Sequence, residues 1–308
     1  MSAARLMDVL VVGDLFMDLV MSGFATWPPT PGEEIFAQHF FREAGGGAAI
    51  TACGLAKLGA RVGVVGAVGE LDGQWLIERL QSKHVDTSAI RKSTVEPTAV
   101  AVSISTASDR IFLTYMGANR EFPEFFHQYT AQNEFKKAQH VHLAYAPEPA
   151  EVKSVFQKLI AQGCSLSMDV GWHPEWLADR RCQEALRYVD VFLPNEREAR
   201  HMTGETEPRG ILAAFQKMGL KKVALKLGPQ GAALQYDEKI MFTEPIPVQS
   251  IDSTGAGDCF DAGFLFALLR GDDPQNCLRT GAICGALSTT QLGGIAGFPT
   301  LAELDAHR

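Results

Sequence analysis

Little in this chain points to a nucleic acid, a membrane or an oxidising compartment. Lys and Arg number 28 against 36 Asp and Glu, a formal charge of −8, whereas a phosphate backbone selects for clustered positive charge. A small anion can still be held locally, so a nucleotide substrate stays open. No apolar run approaches the ~20 residues needed to span a bilayer. The opening MSAARLMDVLVVGDLFMDLV is interrupted by Asp8, Asp14 and Asp18, unlike a secretory signal. The six cysteines (Cys53, Cys164, Cys182, Cys259, Cys277 and Cys284) form no CxxC pair and no zinc-ligand spacing. Most lie in apolar surroundings and read as buried free thiols, which suits a reducing compartment. The expected location is therefore the cytoplasm, with no membrane and no nucleic-acid partner. Internal repeats, low-complexity tracts and long linkers are also missing.

What is present is an ordinary globular composition, 46% hydrophobic and 21% charged, sufficient for a sizeable core. At 308 residues the chain exceeds the usual single domain, but large α/β folds reach this size as one unit. DVLVVG (8–13) reads as a buried parallel strand. GGGAAITACGLAKLG (45–59) reads as a glycine-rich turn opening a helix that Gly59 stops. RVGVVGAVG (61–69) gives the next strand and DGQWLIERLQSKHV (72–85) an amphipathic helix. Further strands are expected near 139–144, 164–170, 189–193 and 222–227, separated by helical patterns. This alternation predicts a three-layer α/β/α architecture around a mostly parallel sheet.

Two stretches break the rhythm. DLFMDLVMSGF and EEIFAQHFFREA read as strands joined by WPPTPG, and TAVAVSIS with DRIFLTYMG as a hairpin around TASD. Four strands without crossover helices predict a small projecting sheet. The expected division is a core of residues 1–13, 43–93 and 118–308 and a sheet of residues 14–42 and 94–117. A lid that excludes water from a cleft is one role for that sheet; contacts in a homodimer are another.

From Cys259 onward the pattern is helical, with Phe260, Phe264, Ala267 and Leu268 predicted on one face and Arg270-Gly271 as the stop. The preceding TGAG thus falls at a helix start, where backbone N–H groups lack partners and the macrodipole is positive. Gly255, Ala256 and Gly257 leave those donors open to an anion. Asp258 stands beside them. Near positive partial charge it is expected to be a weak base, which suits phosphoryl transfer, where the acceptor proton leaves late. A tight turn with Asp258 as a helix cap is the plainer alternative.

The whole segment DSTGAGDCFDAGF resembles the C-terminal signature D-T-x-G-A-G-D-x-F of the ribokinase-like, or PfkB, carbohydrate kinases. The likeness covers nearly the whole chain. VVGDLFMDLV resembles the first strand, whose second aspartate, here Asp18, binds substrate hydroxyls. GGGAAITACGLAKLGARVGVVGAVGELDGQ is similar to the N-terminal signature, whose glycine pair, here Gly45 and Gly46, lies against the substrate. PNEREA looks like the N-x-x-E motif, implying that Asn195 and Glu198 organise Mg2+ through water beside ATP. LKLGPQGA resembles the segment whose Lys226, Gly228 and Gly231 border the nucleotide, with Gly257 on the phosphate side. The resemblance implies ATP as co-substrate, Asp258 as base, and the amides of residues 255–258 as the phosphoryl cradle. It also implies a possible K+ site at Asp252 and the Thr254 carbonyl, with the loop 289–299, and a ribokinase-like fold with a β-sheet lid.

Three departures bear on the acceptor. Phe16 stands where many family sugar kinases have asparagine, Ile50 replaces another asparagine after the glycine pair, and DVGWHP (169–174) replaces D-x-N-x-R. With two amides replaced by apolar side chains, the site is expected to read hydroxyls poorly and to take an acceptor with one apolar face, such as a deoxy sugar or a sugar carrying a base. A nucleoside kinase is therefore the nearest alternative, and a non-catalytic sugar-binding regulator a further one. A dinucleotide oxidoreductase would place GxGxxG after the first strand, and VVGDLFMD lacks it. His140 and His142 share one strand face and read as packing, or as a metal pair. His173 reads as pocket lining, and Trp172 and Trp176 as helix packing or ligand stacking.

Overall fold

In β1 (Met7–Gly13) the side chains alternate between two cores, Val9 and Val11 joining one and Leu10 and Val12 the other. A strand buried on both faces has no polar side, which is why this run is continuously apolar. In the computed structural model, residues 6–24, 28, 29, 31–105 and 110–307 are described; the TASD turn and part of WPPTPG fall outside them.

β1 lies inside a nine-stranded sheet. On one side follow β4 (Val62–Gly69) and β5 (Asp86–Ser93), and on the other β8 (Ala138–Ala144), β9 (Ser165–Met168), β10 (Val191–Phe192) and β11 (Lys222–Lys226). All these neighbours pair in parallel. The edge strands β12 (Ala232–Tyr236) and β13 (Lys239–Thr243) run antiparallel. β10 is shorter than the sequence suggests, but its cross-strand hydrogen bonding continues at both ends, Asp190 N–H to Leu166 and Leu193 N–H to Met168.

Helices Gly47–Lys57, Gln74–Gln81, Ala256–Arg270 and Pro274–Ser288 contribute to one core, and those between 122 and 217 to the other. This is the expected three-layer α/β/α arrangement. Helix Ala256–Arg270 departs from expectation: residues 259–267 are all buried, so it has no single apolar face. It packs against helices Gly47–Lys57 and Pro274–Ser288 and tolerates little polarity. Gly59 and Gly271 both adopt positive φ just after their helices, as chain stops do.

The second sheet has order β3-β2-β6-β7, formed by β2 (Phe16–Ser22), β3 (His39–Gly45), β6 (Val100–Ser105) and β7 (Arg110–Tyr115). Its central β2–β6 pair is parallel and its outer pairs antiparallel. Phe40, Ile111, Phe112 and Leu113 are exposed on it. β2 follows β1 directly and β3 runs straight into helix Gly47–Lys57, so this sheet is anchored where the site lies.

Candidate active site

Ligands of open α/β sheets bind beyond the C-terminal ends of the strands, and the polar side chains gather there. Asp14 follows β1, Asp169 follows β9, and Asn195 follows β10, while Lys226 closes β11. Over this edge stands the start of helix Ala256–Arg270. Gly255 caps it with φ +69°, a conformation that L side chains avoid. A β-carbon there would also lie 2.8 Å from Ile50 Cδ1.

A second helix start meets the first. A β-carbon on Gly47 would lie 2.9 Å from Asp258 Oδ1, and Thr51 Oγ1 donates to the Asp258 carbonyl at 3.2 Å. On the other side of the same glycine run, a β-carbon on Gly45 would fall 2.0–2.2 Å from the Asp18 carboxyl atoms. Gly46 has φ +90° and abuts the Asp14 carbonyl and the Phe16 ring. The run 45–47 is thus the floor between Asp18 and Asp258. Ile50 is buried beneath Gly255 and Gly294, as part of the support under the cradle.

Burial, then Asp169, then Asp18 raise Asp258 to about 7, with Lys226 opposing. The sequence argument expected a weak base from the helix start; here desolvation and neighbouring acids outweigh that local field. Burial and Glu43 raise Asp18 to about 7, and burial raises Asp14 to about 6. Glu43 is itself paired with Arg79, Nε to Oε1 2.6 Å.

Behind Asp258 lies a buried ionic group that sequence reading did not assemble. Lys226 Nζ reaches Asp169 Oδ2 at 2.6 Å and Asp261 Oδ1 and Oδ2 at 3.1 and 3.2 Å. Oxygens of Asp169, Asp258 and Asp261 lie within 4.8 Å of one another. Burial pushes Asp261 well above the carboxylate range despite Lys226. Burial opposes ionisation of Asp169 too, but Lys226 and a hydrogen bond from Asp261 hold it below its ordinary value. The proton is thus drawn toward Asp261 and the negative charge toward Asp169, and the acids favour the charged form of Lys226.

A cavity of about 400 Å³ opens on the far side of the cradle. Of the predicted nucleotide residues, Lys226, Gly228, Gly231 and Gly257 line it and Asn195 does not; Ile246, Phe260 and Ala282 make it largely apolar. Asn195 and Glu198 form a reciprocal capping box. Asn195 Oδ1 accepts from Glu198 N at 2.9 Å, and Glu198 Oε2 from Asn195 N at 2.9 Å. Oxygens so engaged retain lone pairs for water, which suits Mg2+ held through water rather than gripped directly. Asp252 Oδ1 accepts from Thr254 N and Oγ1, and Oδ2 from Gly293 N at 2.8 Å. Oδ1 thus closes a turn within its own loop, and Oδ2 ties that loop to the one at Gly293.

The other flagged residues have separate places. His140 and His142 are buried and both bond Ser167 Oγ, His140 also meeting Ser165. Trp176 is buried and donates to the Pro147 carbonyl at 2.8 Å. Trp172 is half-exposed, with Arg197 stacked 3.6 Å over its ring. Trp172 and His173 line a second, open cleft. The six cysteines are buried free thiols, and no helix among the described residues is long and apolar enough to cross a membrane.

A family profile described as pfkB family carbohydrate kinase matches residues 7–301. A ribokinase of Haemophilus influenzae is 28% identical over 300 residues, covering 95% of each chain. A 2-dehydro-3-deoxygluconokinase of Bacillus subtilis is 29% identical over 267 residues, 82% of each. The solved structure of Arabidopsis thaliana ribokinase, complexed with ribose and ATP, superposes with a TM-score of 0.81, at 28% identity and over 98% of each chain.

Proposed function

The chain belongs to the pfkB family of carbohydrate kinases, and from that premise we propose that it moves the γ-phosphoryl of ATP to a hydroxyl of a sugar or sugar derivative through Asp258 and the amides of residues 255–258. One observation carries the reading: a half-buried Asp258 at a glycine-opened helix start, with the floor of Gly45, Gly46 and Gly47 on one side and the 400 Å³ cavity on the other. The acceptor hydroxyl lies on the floor, hydrogen-bonded by Asp18. ATP occupies the apolar cavity, its phosphates toward Gly257 and Lys226. The acceptor oxygen bonds to phosphorus, its proton goes to Asp258, and the bridging P–O bond breaks to release ADP. A base near 7 is suited to that late proton transfer at neutral pH. The backbone N–H groups at the helix start stabilise the charge on the moving group. Asn195 and Glu198 would hold Mg2+ through water, and the ion would supply neutralisation of phosphate charge. The Asp252 tether shapes the cradle loop.

For the acceptor, Phe16 against Gly46 favours a substrate with an apolar face. The relatives act, by name, on ribose and on a deoxy sugar acid, and both classes belong in the test. A nucleoside is the second reading, because a base could lie against Phe16. ATP consumption measured across sugars, sugar acids, sugar phosphates and nucleosides tests this directly. High efficiency on plain ribose alone would contradict the apolar-face reading, and no turnover with any of them would contradict the kinase reading. The exposed Phe40, Phe112 and Leu113 support a homodimer through the lid sheet, which sedimentation velocity tests.

A further inference from the structure

We propose that Lys226 is a catalytic cation of this phosphoryl transfer, its ammonium aimed by Asp169 and Asp261 so that one N–H donates to the migrating group. The proposal rests on the kinase reading above and adds a donor that the backbone cradle lacks.

The geometry supplies the argument. An ammonium has three N–H groups. Asp169 and Asp261 occupy two directions around Nζ. Nζ lies 3.5 Å from the point where a β-carbon on Gly257 would stand. Lys226 and Gly257 line the same cavity. The two longer contacts go to one carboxyl group, so a single N–H shared between its oxygens satisfies Asp261 and the third can turn to the gap between the cradle amides and the cavity, where phosphate must pass.

A purely structural role explains the group poorly. Asp261 is surrounded on its helix by Cys259, Phe260 and Ala262, all buried, surroundings in which an apolar side chain is the ordinary occupant. Buried ion groups seldom stabilise a fold more than apolar packing does. This one stands at the rim of a cavity. With the shared proton toward Asp261, the group is neutral rather than negative, so it does not repel phosphate, and the attraction comes from the N–H that the two acids aim. No proton moves in the proposed role; Lys226 stays charged throughout. Asp169 and Asp261 are positioning residues.

The test must separate catalysis from support of the fold. Lys226→Met alone leaves Asp169 buried without its partner, so the decisive variant is the charge-neutral double Lys226→Met/Asp169→Asn. It should melt near the wild type and still bind ADP, with a loss in affinity well below the loss in kcat. It should lose about 10²–10³-fold in kcat with the acceptor found by screening, as loss of one oxyanion donor does. Its gain in affinity for ADP on adding aluminium fluoride, a phosphoryl mimic, should shrink at least ~10-fold. Wild-type kcat or an undiminished gain in the double variant would overturn the role of Lys226 alone. No gain and no turnover in the wild type would sink the kinase reading with it. In the unaltered protein, the ¹⁵N signal of the Lys226 ammonium should shift on adding aluminium fluoride to the ADP complex; an unmoved signal would overturn the proposal without any substitution.

Discussion

The Asp258 carboxylate stands 2.9 Å from the point that a β-carbon on Gly47 would occupy. The two belong to different helix starts, and the contact sets where the acid sits between them. Gly47→Ala should push the carboxylate aside, since a flexible side-chain end yields before backbone does. A displacement near 1 Å in a reacting group costs up to about 10²-fold. Turnover should fall by about 10- to 100-fold with little change in melting temperature. Steady-state kinetics beside a thermal melt checks both, and normal turnover would detach Gly47 from the placement of the base.

Asp258→Asn should lower turnover at least ~100-fold while ATP binding changes little. Because burial, Asp169 and Asp18 raise this acid to about 7, the wild-type rate should climb with pH through 7 and then level. The sign follows from the role: a base acts only when ionised. A rate already flat from pH 5 upward would mean that the titrating group is not the one that takes the proton.

Much of this site is visible in the chain before it folds, and the part that is not is non-local. Gly255, Ala256, Gly257 and Asp258 announce a helix start by spacing alone, and β1 announces its double burial by having no polar face. Asp169 and Lys226 are 57 positions apart, and only the adjacency of β9, β10 and β11 brings them together. Asp261 carried a usable signal: three residues after Asp258, it lies one turn along the same helix face, a lone acid in an apolar run. The basicity of Asp258 is hidden from the sequence for the same reason. A helix start is a local feature, but the burial and the neighbours Asp169 and Asp18 that override it are tertiary. Ile50 aligns with a ligand-facing position in sequence, and its buried side chain lies under Gly255 and Gly294.

Gly257→Val distinguishes a ligand site from a structural turn. Outside its own helix, a β-carbon at 257 meets no protein atom closer than Lys226 Nζ at 3.5 Å, so the neighbouring elements leave room for it. The crowding expected there falls on whatever enters the cavity. The variant should fold with a melting temperature close to wild type, yet lose the upward shift that ATP gives. A large loss of stability without ligand would instead mark Gly257 as a packing residue.

The same acids govern stability in the absence of ligand. Asp14, Asp18 and Asp258 are raised from 3.8 to about 6, 7 and 7, so the folded state binds protons more tightly than the unfolded one. Their contribution is fully present below the unfolded value and is lost as pH rises through 6 to 7. The ligand-free melting temperature should therefore fall between pH 5 and 8, and Asp258→Asn should flatten the fall. A melting temperature that rises over this range would contradict burial as the cause.

Glu198 offers the cleanest separation of a structural from an ionic role. Its carboxylate accepts from the Asn195 backbone N–H as the third residue of a capping box, a place that glutamine fills as well. Glu198→Gln should therefore keep the helix start and the melting temperature. What it removes is the ability to ionise, in a carboxyl that burial and Asp169 raise to about 7, and with it, on the proposed reading, the hold on water-bound Mg2+. The expected outcome is an unchanged fold and a higher Mg2+ concentration for half-maximal rate, by about tenfold if outer-shell partners matter here as they do elsewhere. Turnover titrated against Mg2+ at fixed ATP measures it. An unchanged midpoint would leave Glu198 as a helix cap and move the metal's anchor to other residues.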